Sequence, residues 1–363
     1  MKTTKYTRGK RCRVLGSLLL TGLISLCSSG PALANPQRIV EGWYAHNATL
    51  LMLGAGHQIV ATVARPETLP WMFKLFPELQ HAQILPSPRL NGEQLLTLRP
   101  DLVFVSRGNS ATDELRRLGL SVDEEGFDSF QGMLSSVNHT AALLGTPLAK
   151  QRAAAFKAAM LHQLQSHSTI STPLSRHTDT SSDDSAACIS TGKVSSVRKL
   201  SASRHPMRVL HIESISPLQV DGGHTIIDQW IKCAGGVNVA HALVGNKRPV
   251  SIEQVLAWQP QVIIVGDTAG SLDILKQNPL WQQVDAVEYG HVVRNPGGIF
   301  PWDRYGPELL LQLEWARELL SQGKIDQSLM INKILHFYHQ FYGVDLSRTD
   351  AIRMLKGLPP ADR

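Results

Sequence analysis

The sequence predicts an α/β protein of two similar halves, and three observations support this prediction. First, the segment "EQLLTLRPDLVFV", beginning at Glu93, recurs without gaps as "EQVLAWQPQVIIV", beginning at Glu253. Second, each copy has apolar residues at helical spacing, then a proline and a nearly continuous apolar run, as in a helix that leads into a buried parallel strand. Third, a chain of 363 residues exceeds one ordinary domain and suits two. We therefore expect two α/β halves, each with helices on both faces of its sheet.

Residues 1–34 are predicted to be an export signal. Six basic residues precede an apolar run over residues 14–26, and Ala-Leu-Ala at 32–34 forms a small-x-small cleavage site. The apolar run is too short to span a bilayer comfortably. A lipoprotein signal would use Cys27, but Leu26 is bulkier than the residue that usually precedes such a cysteine. We therefore expect the mature chain to lie outside the cytoplasm.

Loss of the signal changes the charge and the cysteine content. The whole chain has 36 Lys+Arg and 30 Asp+Glu, and the six basic residues of the signal account for its net charge of +6. The mature chain is formally neutral, so its charge gives no reason to expect nucleic acid or anionic lipid as a partner. Cys188 and Cys233 remain, and an oxidising compartment permits a disulfide between them; two unpaired thiols are the alternative.

Composition shifts predict the order of segments along the chain. An Ala-, Leu- and Gln-rich stretch that restarts near Pro147 predicts a long helix between the halves, and a Ser347 N-cap predicts the start of the last helix. A Ser-, Thr- and Asp-rich stretch follows the long helix and predicts a disordered insertion. The predicted segments are a first lobe at 35–137, a connecting helix at 138–165, the insertion at 166–206, a second lobe at 207–320 and closing helices at 321–363.

Several motifs in this order resemble one known family. They are "RIVEG…LLMLGAGHQIVA", "NGEQLLTLRPDLVFVSRGN", "DGGHTIIDQWIKCAGGVNVA", "SIEQVLAWQPQVIIV", "NPGGIFPWDRYGPE" and "FYHQFYGVDLS". Together they are similar to the periplasmic binding proteins of ABC importers for iron–siderophore complexes, vitamin B12, haem and related metal chelates. The resemblance implies two Rossmann-like lobes joined by one long α-helix, with a ligand cleft between them. It also implies a monomer in the periplasm, without a cofactor, that delivers its ligand to a permease dimer driven by a cytoplasmic ATPase.

The resemblance gives a role to the repeated glutamates. In that family a surface glutamate from each lobe docks onto arginines of the two permease subunits, and Glu93 and Glu253 match those positions. A pseudo-symmetric protein that meets a two-fold permease needs the same charged contact twice. The alternative is that each glutamate only stabilises the first turn of its helix, where the helix dipole favours a negative charge.

Loops that follow the predicted strands are expected to line the cleft, because α/β proteins bind ligands at the carboxyl ends of strands. Aromatic walls with one or two guanidinium groups suit a bulky anionic chelate. The predicted ligand-binding residues are Trp43, Tyr44, His46, Arg65, Trp71, Arg107, Asn109, His224, Trp302, Arg304 and Tyr305.

Several of these residues have an ordinary structural alternative. Trp71 could belong to the core of the first lobe, Arg107 could be an exposed loop charge, and Arg304 could pair with Asp303 or Glu308. The sequence lacks the local His and Cys spacing of a metal site, so no direct metal ligation is expected. One imidazole, from His46 or His224, could still complete the shell of a chelated metal.

Function is predicted to be binding and delivery of a metal chelate, with no catalysis. A ferric siderophore is the first choice because Arg is combined with Tyr and Trp, while cobalamin, haem, a molybdate-like oxyanion and a nickel complex remain alternatives. The alternative class is an enzyme resembling the tetrapyrrole metal chelatases, which are also two-lobed. The predicted export signal argues against it, and the sequence contains no GxSxG, Walker-type or HExxH motif.

Overall fold

The computed structural model describes residues 35–86, 90–165 and 206–361. The predicted export signal and all but the last residue of the predicted insertion lie outside the described residues. Among the described helices, none combines the length and the apolar composition needed to cross a membrane. Cys233 is disulfide-bonded, and the other cysteines of the chain lie outside the described residues.

Lobe 1 is built around a sheet of five parallel strands. In chain order they are β1 (Ile39–Glu41), β2 (Ile59–Thr62), β3 (Gln83–Ile84), β4 (Leu102–Ser106) and β5 (Val122–Glu125). Their spatial order is β3-β2-β1-β4-β5, and Val40 of β1 pairs with Ala61 on one side and Val103 on the other. The chain thus turns in opposite directions after β1 and β4, which is the switch point where α/β sheets bind ligands.

The helices of lobe 1 connect these strands. They are α1 (His46–Met52), α2 (Pro70–Leu75), α3 (Gly92–Leu98), α4 (Thr112–Arg117) and α5 (Phe130–Leu144). α5 ends at Gly145, whose φ of 69° is favourable only for glycine, and the connecting helix α6 (Pro147–Gln165) follows at once. The predicted restart of the helix near Pro147 is therefore confirmed.

Lobe 2 has a mixed sheet of six strands. They are β6 (Met207–Ile215), β7 (Leu218–Val220), β8 (Gly236–Asn238), β9 (Arg248–Pro249), β10 (Val262–Val265) and β11 (Val292–Arg294). The path β11-β10-β6 is parallel, β8 runs parallel to the first part of β6, and β7 and β9 are antiparallel to their neighbours. The helices of this lobe are α7 (Ile226–Cys233), α8 (Ile252–Trp258), α9 (Leu272–Gln277) and α10 (Asp285–Glu288).

Three helices and a π-helical turn at Tyr338–Tyr342 close the chain. The helices are α11 (Leu309–Gln322), α12 (Gln327–Phe337) and α13 (Arg348–Leu355). The predicted Ser347 N-cap is confirmed, since its side chain accepts a hydrogen bond from the Asp350 backbone N–H. The predicted boundaries at residues 137 and 320 fall inside α5 and α11. The amino-acid composition shifts near these two residues, but α5 and α11 each continue past the shift, so the structural boundaries lie elsewhere.

The repeated segment folds in the same way in both lobes. α3 leads into β4 and α8 leads into β10, which confirms the predicted helix–strand unit. Asn91 and Ser251 are the N-caps, and each helix ends at a residue in the left-handed region, Arg99 with φ 47° and Gln259 with φ 43°. Pro100 and Pro260 follow these residues and prevent continuation of the helix.

One hydrophobic core extends through both lobes. It includes Ile39 and Phe104 of the first sheet, Ile264 of the second, and Phe156 of α6. Each sheet also has a separate core on its other face, because successive strand residues point to opposite faces: Val40 lies in one and Ile263 in the other. The lobes are therefore held by shared apolar packing as well as by the connecting helix.

Candidate functional site

Loops at the carboxyl ends of strands in both lobes meet through aromatic side chains. The Trp43 and Tyr305 ring centroids lie 5.6 Å apart, those of Phe127 and Tyr305 lie 5.8 Å apart, and those of Tyr44 and Phe300 lie 5.7 Å apart. Lobe 1 supplies Trp43, Tyr44 and Phe127, after β1 and β5, while Phe300 and Tyr305 follow β11 of lobe 2. We call these five side chains the aromatic bridge.

The predicted Trp43, Tyr44 and Tyr305 are thus brought together, and the accessible part of the bridge consists of these residues. Tyr44 is 43% exposed, and Trp43 and Tyr305 are half-buried. Phe127 and Phe300, which are buried, were not among the residues predicted from the sequence. Phe127 could have been found from its position, because it directly follows the strand that ends at Glu125.

Tyr305 is held in an unusual backbone conformation. Its φ is 47°, in the left-handed region that a bulky residue rarely occupies. Asn246 donates a hydrogen bond from Nδ2 to the Tyr305 hydroxyl oxygen at 2.6 Å. Such backbone strain persists only where the surroundings fix it, and it is concentrated at functional sites.

A buried ion pair supports Trp43 from below. Glu41 Oε1 accepts a hydrogen bond from the Trp43 backbone N–H at 2.9 Å, and Glu41 Oε2 lies 2.7 Å from His46 Nδ1. The His46 ring stacks under Trp43 with 6.4 Å between centroids. Burial alone would lower the pKa of His46, but the Glu41 carboxylate outweighs it and raises that pKa above its ordinary value.

The expectation that His46 faces a ligand or a metal is wrong for this structure. Only 1% of the residue is exposed, and its Nε2 lies 3.0 Å from Thr140 Oγ1, so both ring nitrogens have partners inside lobe 1. His46 therefore positions Trp43 and offers no surface to a ligand.

Arg304 lies in a buried network of charges in lobe 2. Its Nη2 is 2.6 Å from Glu213 Oε2 and 3.2 Å from Asp221 Oδ2, and its Nε donates to Asp303 Oδ1 at 3.1 Å. His211 bridges the same two aspartates, with Nδ1 2.8 Å from Asp221 Oδ2 and Nε2 2.8 Å from Asp303 Oδ2. We call these five residues the charged network.

Four members of the charged network stay ionised because they are paired with one another: His211, Asp221, Asp303 and Arg304. Burial opposes the charge on His211, but hydrogen bonds to Asp221 and Asp303 and the charges of both raise its pKa to about 9. Burial likewise opposes ionisation of Asp303, but Arg304 and His211 lower its pKa well below the usual range. Arg304 is 7% exposed and its guanidinium already faces three carboxylates, so it is not available to an anionic ligand. The prediction of Arg304 as an anion receptor is corrected to the ion-pair alternative.

Two predicted tryptophans are also buried side chains. Trp71 is 3% exposed and donates from Nε1 to the Leu358 carbonyl oxygen at 2.9 Å, and Trp302 is 0% exposed. Both belong to the continuous core, so the expectation that they line the cleft is wrong in this structure. Tryptophan is frequent in both cores and ligand sites, and the sequence pattern alone did not distinguish them.

The other predicted residues lie on loops near the strand ends. Arg65 and Arg107 are exposed, and each guanidinium donates from Nη2 to a backbone carbonyl oxygen, of Leu85 and Gly126 respectively. Asn109 accepts a hydrogen bond from the Ala111 backbone N–H at 2.9 Å and so orders the start of α4. His224 is exposed, has a φ of 56°, and its ring stacks on His241 at 6.2 Å.

The repeated glutamates occupy equivalent exposed positions. Glu93 and Glu253 each lie in the first turn of their helix, after the Asn91 and Ser251 caps. Because each helix runs antiparallel to the strand it precedes, its first turn lies toward the carboxyl edge of the sheet. Both glutamates are therefore on the same side of the protein as the aromatic bridge.

A surface cavity of about 460 Å³ lies elsewhere in lobe 1. Its lining residues come from the amino ends of strands and the turns before them, and include Arg38, His57, Glu78 and His81. It opens at the edge opposite the aromatic bridge, away from the strand ends that bind ligands in α/β proteins.

The chain resembles known proteins in sequence and in fold. A family profile described as "Periplasmic binding protein" matches residues 199–297. The vitamin B12-binding protein of Pectobacterium atrosepticum is 26% identical over 318 residues, which cover 85% of this chain and 96% of that protein. A periplasmic solute-binding protein of Veillonella parvula has a TM-score of 0.68 at 19% identity, covering 89% of this chain and 92% of that one. The molybdate-binding protein MolA of Haemophilus influenzae has a TM-score of 0.67 at 20% identity, covering 86% and 94%.

Proposed function

We propose that the chain is a periplasmic binding protein and that it serves as the solute-binding component of an ABC importer for a metal chelate. The observation that carries this proposal is the aromatic bridge, which joins the two lobes at the switch point of the first sheet. A ligand that separates Trp43 from Tyr305 would meet a flat aromatic surface on each side.

Among metal chelates, we favour a corrinoid. The sequence favours a ferric siderophore because Arg is combined with Tyr and Trp, and the charged network removes Arg304 from that combination. Trp43, Tyr44 and Tyr305 instead offer broad apolar faces with hydroxyl groups at the rim, which suits a large ring with amide side chains. A relative that covers most of the chain is a vitamin B12-binding protein. A ferric siderophore remains the second candidate, because Arg65 and Arg107 are exposed near the strand ends.

Titration of tryptophan fluorescence tests the proposed identity of the ligand. The mature protein is titrated with cobalamin, haem, ferric catecholate, ferric hydroxamate, ferric citrate, molybdate and nickel with histidine, and absorbing ligands are checked by calorimetry. We expect saturable quenching by cobalamin, and loss of most of that quenching in Trp43→Phe. Trp281→Phe is the matched control, because Trp281 is buried in the separate core of lobe 2.

Removal of Tyr305 from the aromatic bridge tests the proposed ligand site. We expect Tyr305→Ala to weaken ligand binding by at least about tenfold, since a central aromatic side chain commonly contributes 2 kcal/mol or more. Tyr289→Ala should have no effect, because Tyr289 is 66% exposed beyond the end of α10. Equal ligand affinity of the two variants would show that the ligand does not bind at Tyr305. Tight binding of another compound in the panel would replace the corrinoid as the proposed ligand and would still support a carrier function.

Docking to a permease is the second part of the proposed function. We propose that Glu93 and Glu253 each pair with a basic residue of one permease subunit, because they are exposed, equivalent in the two lobes and near the cleft. Reversal of both charges, Glu93→Arg with Glu253→Arg, should abolish uptake in cells and leave ligand affinity intact. Glu288→Arg is the control, since Glu288 is exposed at the amino edge of the second sheet. Normal uptake by the double variant would disprove this docking.

We further propose that the protein acts in the periplasm and releases its ligand chemically unchanged. The matched relatives carry names of binding proteins, and their family is periplasmic. Export by residues 1–34 stays a prediction. Recovery of the intact ligand from the protein, checked by mass spectrometry, would distinguish a carrier from the chelatase-like enzyme, which would insert or remove the metal.

A further inference from the structure

Two carboxylates and an imidazole converge on the flank of lobe 1. Asp123 and Glu125 alternate on β5, so both face α5, which carries His139. His139 Nε2 lies 3.1 Å from each carboxylate oxygen of Asp123. Ligand atoms of Asp123, Glu125 and His139 all lie within 4.8 Å of one another.

The cluster holds two carboxylates, one of which is buried. Glu125 is 3% exposed, and its side chain accepts hydrogen bonds from the neutral hydroxyls of Ser136 and Thr140. In the described parts of the chain Glu125 forms no ion pair, whereas its neighbour Glu124 pairs with Arg116 at 3.2 Å. His46 supplies a positive charge on the inner side of Glu125, since its Nε2 lies 3.0 Å from Thr140 Oγ1 and the Glu125 charge helps to raise its pKa. A cation bound between Asp123 and Glu125 would balance the second carboxylate from the outer side.

We propose that Asp123, Glu125 and His139 bind a divalent transition-metal ion, such as Zn²⁺, at a site separate from the ligand cleft. Two carboxylate oxygens and one imidazole nitrogen suit Zn²⁺ and its first-row neighbours, whereas Ca²⁺ and Mg²⁺ prefer oxygen ligands alone. The 3.1 Å separation of Asp123 and His139 matches adjacent ligands that each bind zinc at about 2.0–2.2 Å.

The surroundings provide the outer shell that such a site needs. The Ser136 and Thr140 hydroxyls donate to opposite oxygens of Glu125 and fix the orientation of its carboxylate. Three protein ligands leave a fourth position for water or an added ligand, because the His139 side chain is half exposed at 52%. The ordinary alternative is an ion pair between protonated His139 and Asp123, which would bind no metal.

Calorimetry with zinc chloride tests the site. The chain is purified from the periplasm without an affinity tag and freed of metal with a chelator. We expect one Zn²⁺ per chain at this site, and at least about tenfold weaker binding in Asp123→Asn and in His139→Gln, since even outer-shell partners contribute that much. Glu124→Gln is the matched control, because it removes a carboxylate from the opposite face of the same strand.

Cobalt provides a direct readout of the ligands. Visible absorption of the Co²⁺-loaded protein should be lost in His139→Gln and retained in Glu124→Gln, and thermal melting in chelator shows that each variant is folded. Zinc binding that is unchanged in Asp123→Asn/His139→Gln would overturn the proposal and direct attention to other histidines, such as His167 and His177. Failure to bind zinc at all would also overturn it, as would a site that takes Ca²⁺ and excludes Zn²⁺.

Discussion

The two lobes share a helix–strand unit, but the charges behind their aromatic residues differ. In lobe 1 a single buried pair, Glu41 and His46, lies beneath Trp43. In lobe 2 the charged network of His211, Glu213, Asp221, Asp303 and Arg304 lies beside Tyr305. The units α3–β4 and α8–β10, by contrast, each have a side-chain N-cap, a left-handed residue at the helix end and an exposed glutamate in the first turn.

This difference fits the proposed function. A permease with two similar subunits would meet both lobes in the same way, which favours an equivalent surface on each lobe. A ligand in the cleft meets two walls that need not be alike, so nothing requires their buried supports to match. The buried supports are therefore the places where the lobes should respond differently to substitution.

Loss of one aspartate of the charged network should have the largest effect. Asp303→Ala removes a partner of both His211 and Arg304, and Arg304 cannot lose its charge inside the protein. We expect a loss of about 3–5 kcal/mol in the free energy of unfolding, measured by urea denaturation at neutral pH.

The matched change in lobe 1 should cost less. Glu41→Ala leaves His46, which can become neutral by losing its proton. Asp273→Ala is the surface control, because Asp273 is exposed at the start of α9. Equal losses for Asp303→Ala and Glu41→Ala would show that the charged network behaves as a simple pair.

The pH dependence of stability should reveal the same network. The folded-state pKa of His211 is about 9, above its ordinary value of 6.5, so its stabilising contribution is complete below pH 6.5 and is lost as the pH rises through 9. The shift corresponds to roughly 3 kcal/mol. Burial also raises the pKa of Glu308 to about 7, so Glu308 lowers stability as the pH rises from 4.5 to 7.

The window between pH 7 and pH 9 lies above the raised pKa of Glu308, and comparison with His211→Gln separates His211 from groups that both proteins share, such as His46, whose pKa is also raised. Urea denaturation across that window should show a fall in wild-type stability and a much smaller fall in His211→Gln. The two-proton NMR signature of a charged imidazole at pH 8 would report the same state directly. A neutral His211 at pH 8, or an equal fall in the variant, contradicts the pairing.

Much of the fold could be predicted because it depends on local pattern. The repeat, the restart at Pro147 and the Ser347 cap each follow from residue types within a few positions. The placement of Arg304 could not be predicted, because its partners Glu213 and Asp221 come from β6 and the end of β7, far away in the sequence. For the same reason no local spacing revealed Asp123 and His139, which meet only when β5 packs against α5.

Where the lobes are alike, the predicted effects are small and equal. Asn91→Ala and Ser251→Ala each remove a side chain that accepts a hydrogen bond from the backbone N–H of the third residue along, Gln94 or Gln254. We expect each substitution to lower the free energy of unfolding by about 1 kcal/mol, measured by urea denaturation. The two losses should match, unlike those of Asp303→Ala and Glu41→Ala, because the caps belong to the unit that both lobes share. A loss in one lobe alone would show that the likeness of α3 and α8 does not extend to the energetics of their first turns.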